Sequence, residues 1–272
     1  MPPRFLVILP ALSLLFWIPQ SRADEAAEKL VLATYKLAND ASTATGTVYR
    51  RATEEEGKSQ CFLVTAAHVF EGMKGDSCNL VSRTRRDDGV FLRKEIQIAV
   101  RQEGKPLWKK HASQDVAVLL LPESVSVEAL PFDCLATKEI LAQVHVGDNL
   151  RLAVFPERSE ANPAGFPILR GGTLASHPML PVKPHPTFLV DATAWPGDSG
   201  GPVSHASLRS PSGGPVVVGI VRGMRNITDT VKESRFVERK THYPLGVSEV
   251  LQAALAEELI RETWPIKEAA EK

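Results

Sequence analysis

The stretch Trp195-Pro196-Gly197-Asp198-Ser199-Gly200-Gly201-Pro202 decides how this chain is to be read. A serine that attacks a carbonyl needs an exposed hydroxyl. It also needs backbone N–H groups that converge on the oxygen made negative by the attack. Glycines permit the backbone angles that turn those N–H groups inward, and their bare Cα atoms let another chain come close. A lone Gly-x-Ser-x-Gly would read equally well as an ordinary turn. The full run Gly197-Asp198-Ser199-Gly200-Gly201-Pro202 is far more specific, and it makes Ser199 a candidate nucleophile.

Two further stretches supply its partners. In Leu63-Val64-Thr65-Ala66-Ala67-His68-Val69 a strand-like apolar run ends in two small residues and a histidine. Histidine suits a general base because its pKa lies near neutrality. The other six histidines, at 111, 145, 177, 185, 205 and 242, lack that small-residue context. In Gln114-Asp115-Val116-Ala117-Val118-Leu119-Leu120-Leu121 an acid stands at the mouth of an apolar strand. A carboxylate there can fix the tautomer of an imidazole and stabilise the imidazolium. Taken singly, His68 and Asp115 would both pass as structural residues. Their combination with Ser199, at gaps of 47 and 84 residues, makes them a set.

Outside these stretches the chain reads mostly as short strands. Leu30–Leu37, Thr45–Arg51, Gln60–Thr65, Leu80–Ser82, Val90–Val100 and Val116–Leu121 form one series. A crossing segment from Pro122 to Pro131 follows. Asn149–Phe155, Ile168–Ser176, Thr187–Ala192, Pro202–Ser204 and Val216–Val221 form a second series. Turn signals such as Gly171-Gly172 and Ser212-Gly213-Gly214 separate the runs. Two antiparallel barrels or sandwiches are expected. Val247, Val250, Leu251, Ala254, Leu255 and Leu259 recur at helical spacing, which predicts a C-terminal helix with Ser248 as N-cap.

The three stretches together resemble the signature blocks of the trypsin-like (chymotrypsin-fold) serine protease superfamily: Thr65-Ala66-Ala67-His68, Asp115-Val116-Ala117 and Gly197-Asp198-Ser199-Gly200-Gly201-Pro202. The order His, Asp, Ser is that of chymotrypsin-type enzymes. The similarity spans about Leu30 to Leu259 and looks closest to compact bacterial members without a PDZ domain. It implies an all-β fold of two six-stranded antiparallel barrels with a C-terminal helix. The domain boundaries expected are a signal peptide at 1–23, an N-terminal barrel at 24–130, and a C-terminal barrel plus terminal helix at 131–272. It also implies a serine endopeptidase acting on protein or peptide substrates without cofactor or metal. Ser199 would be nucleophile, His68 base then acid, and Asp115 the orienter. The N–H groups of Gly197 and Ser199 would form the oxyanion hole. The substrate pocket would be lined by Thr193, Trp195, Arg222 and Met224, with no acid to receive a basic side chain. Such a pocket predicts cleavage after small or medium apolar residues.

Three departures stand out. No Arg-Ile-Val-Gly-Gly-like activation site precedes the first strand, so Asp198 must find another partner or stay solvated. Asp198 itself stands where the heat-stress branch has asparagine. Arg222 occupies the place where trypsin-like enzymes have a serine. A catalytically silent homologue used as a binding or scaffold protein is the alternative expectation, although all three triad residues are present.

Bulk composition narrows the remaining classes. Lys+Arg and Asp+Glu each total 32, so no charge excess suggests nucleic-acid binding. Arg4, the apolar run Phe5–Ile18 and the small residues Ser21 and Ala23 read as a signal peptide cleaved after Ala23. The run falls short of the ~20 apolar residues of a spanning helix. A secreted or periplasmic protein without stable membrane insertion is therefore expected. In an oxidising compartment Cys61 and Cys78, which flank His68, are expected to form a disulfide; three free thiols, Cys134 included, are the alternative.

Overall fold

The computed structural model describes residues 24–39, 42–235 and 237–266. The predicted signal peptide at 1–23 lies outside them. Among the described residues no helix is long and apolar enough to cross a membrane.

A short helix α1 (Glu25–Leu32) opens the described chain. Asp24 caps it through a bond from the Ala27 N–H. The first sheet contains β1 (Thr34–Ala38), β2 (Thr43–Ala52) and β3 (Ser59–Ala66). A one-and-a-half-turn helix α2 (Ala67–Gly72) follows, then β4 (Ser77–Arg85) and β5 (Phe91–Ala99). The short strands β6 (Arg101–Gln102) and β7 (Lys105–Pro106) form a separate hairpin. Next come β8 (Lys109–Lys110), β9 (Val116–Leu121) and β10 (Leu130–Pro131). Six long strands plus the two-residue β8 and β10 make this sheet, in the order β5-β4-β1-β2-β3-β9-β8. All pairings are antiparallel except that of β10 with β2.

After a helical turn α3 (Lys138–Leu141) the second sheet is built from β11 (Asn149–Val154), β12 (Ile168–Thr173), β13 (Thr187–Val190), β14 (Pro202–Arg209), β15 (Pro215–Lys232) and β16 (Glu238–Gln252). Its order is β12-β11-β14-β15-β16-β13. An antiparallel bridge between Leu174 and Val190 joins its two ends and closes the barrel.

The unbroken apolar runs of β3 and β9 have a structural cause, because both strands are buried on both faces. Phe62, Val64, Val116 and Val118 enter the core shared with the second barrel. Leu63, Ala117, Leu119 and Leu121 point the other way, into the first barrel with Tyr35, Leu37 and Phe70. A strand covered on both sides reads as continuous rather than alternating hydrophobicity.

The C-terminal helix is shorter than its pattern suggests. Helix α4 covers Ala254–Thr263, and its N-cap is Ala253, which makes no side-chain capping bond. Val247, Ser248, Val250 and Leu251 belong instead to β16, where Ser248, Val250 and Leu251 pair with β13 and β15. Apolar residues three and four apart fit a strand whose two faces are both covered, so the helical period misplaced the boundary. Leu255, Leu259 and Ile260 bury the helix in the shared core against β9 as well as β16.

The expected Cys61–Cys78 bridge is absent: Cys61, Cys78 and Cys134 are free thiols. Strands β1 and β2 lie between the strands of Cys61 and Cys78. Three strand spacings, about 14 Å along the sheet, exceed what a disulfide can span.

Candidate active site

Strand register brings the first two candidates together. Pairing of β3 with β9 sets Ala66 opposite Val116, and the Ala67 N–H bonds to the Asp115 carbonyl at 3.0 Å. Asp115 thus stands beside the first turn of α2, where the next residue is His68. Its carboxylate engages His68 twice. Oδ1 accepts from the backbone N–H at 2.8 Å, and Oδ2 lies 2.7 Å from Nδ1. Burial would raise the Asp115 pKa, but the hydrogen bonds from the His68 side chain and backbone, and the nearby charge of Arg222, hold it below the usual aspartate value. The ionised carboxylate is therefore the acceptor and Nδ1–H the donor. This leaves Nε2 as the basic nitrogen on a ring that is about half exposed.

The serine sits in a turn that only glycine permits. Gly197 has φ +100° and Gly200 φ +87°. A Cβ on Gly197 would lie 2.3 Å from the Phe155 carbonyl oxygen, and one on Gly200 2.0 Å from Thr65 Oγ1. Thr45, from the first barrel, clamps the turn: its hydroxyl donates to the Gly197 carbonyl at 2.7 Å and its N–H to the Ser199 carbonyl at 2.9 Å. With both carbonyls held back, the N–H groups of Gly197 and Ser199 have no acceptor among the described residues. The Ser199 hydroxyl donates to the Arg222 carbonyl at 3.1 Å, toward β15.

Asp198 is fully buried and has found its partner. Arg170, on β12, places Nη1 2.9 Å from Oδ2, and the Trp195 N–H donates to the same oxygen at 2.9 Å. Oδ1 has no hydrogen-bond partner. Burial pushes the carboxyl up to about 6 despite the Trp195 N–H and Arg170. The second Arg170 nitrogen bonds the Thr193 carbonyl, tying the expected pocket base to the same cation.

Of the other pocket residues, Trp195 is exposed, and Met224 packs at the edge of the shared core. Arg222 makes contacts in two directions. Its carbonyl faces Ser199, while its guanidinium Nε lies 3.6 Å from Asp115 Oδ2 and Nη1 lies 3.3 Å from Glu249 Oε2. Arg170, Glu249 and the clamping role of Thr45 were not legible in the sequence. Each acts on residues far along the chain, and the only local signal was that Asp198, beside Ser199, called for a partner.

The solved structures it resembles settle the architecture. An inactive form of a serine-to-alanine variant of Rv3671c from M. tuberculosis H37Rv superposes with a TM-score of 0.50 and 17% identity, over 90% of this chain and 94% of that one. Human heparin binding protein superposes with a TM-score of 0.51 and 14% identity, over 86% and 92%. The chain has the chymotrypsin-like fold. At these identities the likeness establishes a protease fold and no more. No protein-family model and no curated protein matches the sequence.

Proposed function

We propose that this chymotrypsin-fold chain is an exported serine endopeptidase, with Ser199 as nucleophile, His68 as base and then acid, and Asp115 as orienter. The observation that carries this reading is the double hydrogen bond of Asp115 to His68, together with a glycine turn, clamped by Thr45, in which the N–H groups of Gly197 and Ser199 have no acceptor among the described residues. In the first step the Ser199 proton passes to His68 Nε2 as Oγ bonds to the scissile carbonyl carbon. The oxygen becomes negative against the N–H groups of Gly197 and Ser199. Collapse expels the amine, which takes the proton from His68. Water then repeats the sequence on the acyl-enzyme and frees the acid. The Ser199 hydroxyl must first leave the Arg222 carbonyl. A substrate N–H that takes up that carbonyl would release it, so binding and activation are coupled.

The pocket formed by Thr193, Trp195, Arg222 and Met224 favours small or medium apolar residues before the scissile bond, because Thr193 supplies no carboxylate. The signal segment at 1–23 delivers the protein to the periplasm or beyond. A binding protein on the same fold is the second reading, motivated by the resting Ser199 hydroxyl bonding to Arg222. Labelling with an organophosphonate separates the two. An adduct on Ser199 that is absent from Ser199→Ala, together with peptide-library cleavage, supports the peptidase. An unlabelled, folded protein would sink it.

A further inference from the structure

Strand β15 does not stop at the barrel. Beyond Val221 it continues through Lys232, paired to β16 from Glu238 to Pro244 as a two-stranded ribbon. Residues 225–232 are all exposed. On its other edge β15 is paired with β14 only as far as Ile220, and Val221 still exchanges bonds with Gly200 and Gly201. From Met224 onward that edge has no strand beside it among the described residues. An exposed edge is a template for another chain.

The active site fixes which chain it would be. An acyl group on Ser199 has its own N–H near the Arg222 carbonyl, 3.1 Å from Oγ. From there the residues preceding the scissile bond have two directions along β15. Backward, toward Ile220, the edge is already occupied by residues 200–203. Forward, toward Lys232, it is open. The substrate must then run toward Ser199 while β15 runs away from it, which is the antiparallel sense. The register shifts at Val221/Gly223 and at Met224/Asn226, and from Asn226 to Lys232 the edge then offers seven residues in unbroken register, about 24 Å at ~3.4 Å each. One face of the ribbon carries Ile227, Asp229 and Val231, with Tyr243, Thr241 and Arg239 opposite them; Ile227, Val231 and Tyr243 are its large apolar side chains. All three are 40–54% exposed.

We propose that this ribbon is an extended substrate-binding edge. It adds as a strand the segment well before the scissile bond, of an unfolded polypeptide whose apolar side chains, four residues apart, lie over Ile227 and Val231. The inference rests on the peptidase reading for the position of the scissile bond, and on the ribbon alone for the rest.

The test is a series of peptides sharing one cleavage sequence and extended from three to ten residues before the scissile bond. They are assayed with the wild-type protein and with a variant whose residues 226–244 are replaced by a two-residue turn. For the wild type kcat/KM should rise at least ten-fold with length. In the shortened variant it should stay flat, with the three-residue substrate cleaved equally by both. Ile227→Thr and Val231→Thr, which keep the ribbon backbone, should each remove several-fold of the gain. Binding of the same peptides, fluorescently labelled, to Ser199→Ala reads the ribbon without turnover, and N-methylation of their distal backbone should weaken it about ten-fold. Length-independent cleavage, or a gain that survives shortening, would overturn the inference and leave the peptidase intact. If no peptide is cleaved, the peptidase reading fails. Length-dependent binding to Ser199→Ala would then still uphold the ribbon, and length-independent binding would overturn it. A dimer in sedimentation that shortening makes monomeric would show that a second copy occupies the edge, which also overturns it.

Discussion

Arg170 Nη1 sits 2.9 Å from the Oδ2 of Asp198, the residue just before the candidate nucleophile. This pair anchors the turn before Ser199 from inside the second barrel. Removing one partner of a buried pair strands the other charge. At pH 8, Arg170→Ala should lose about 3 kcal/mol of stability in urea unfolding and at least ten-fold in kcat/KM. Arg170→Lys should recover part of both. Full activity in Arg170→Ala would refute the anchoring role.

The Asp198 carboxyl also predicts a pH dependence with a definite sign. It titrates at about 6 in the folded protein and near ~3.9 when unfolded. Between those values the folded state keeps a proton that the unfolded chain has released. This contribution is therefore fully present below about pH 4 and lost as pH rises through about 6, by up to roughly 3 kcal/mol. Asp198→Asn, with no charge to bury, should lack that slope when unfolding is followed from pH 4 to 7. Equal slopes in the two proteins would refute the assignment.

Thr45 joins the barrels at the nucleophile turn. Thr45→Val keeps the shape and removes the hydroxyl, leaving the Gly197 carbonyl without its donor. A loss of about 1–2 kcal/mol is expected. Because the turn can then relax, kcat should fall by about ten-fold with KM little changed. A variant altered in KM alone would place Thr45 outside the turn's positioning.

The thiols give a direct check on the packing. Burial pushes Cys78 up to about 12 and Cys134 to about 11, whereas Cys61 is only half-buried. Thiol titration of the protein should find three groups after denaturation without reductant, and at most Cys61 in the native state. Finding one thiol after denaturation would mean that a disulfide forms.

Much of this protein was readable from local pattern. Most strands of both series, the triad candidates and their chain order follow from runs of a few residues, because burial on one or both faces writes itself directly into the sequence; the run Leu30–Leu37 instead begins in α1, and β16 was not legible as a strand. The helical period at Val247–Leu251 misled, since a doubly covered strand also places apolar residues three and four apart. The Cys61–Cys78 bridge was inferred from spacing along the chain, and sheet order separates the two residues. What the tertiary structure decided are the relationships between distant segments: Arg170 with Asp198, Thr45 with the serine turn, Arg222 with Asp115 and Glu249, and the open edge of β15 leading away from Ser199. None has a period or motif, because a hydrogen bond or an ion pair depends on distance in space, and only the packing of the two sheets on a shared core sets those distances.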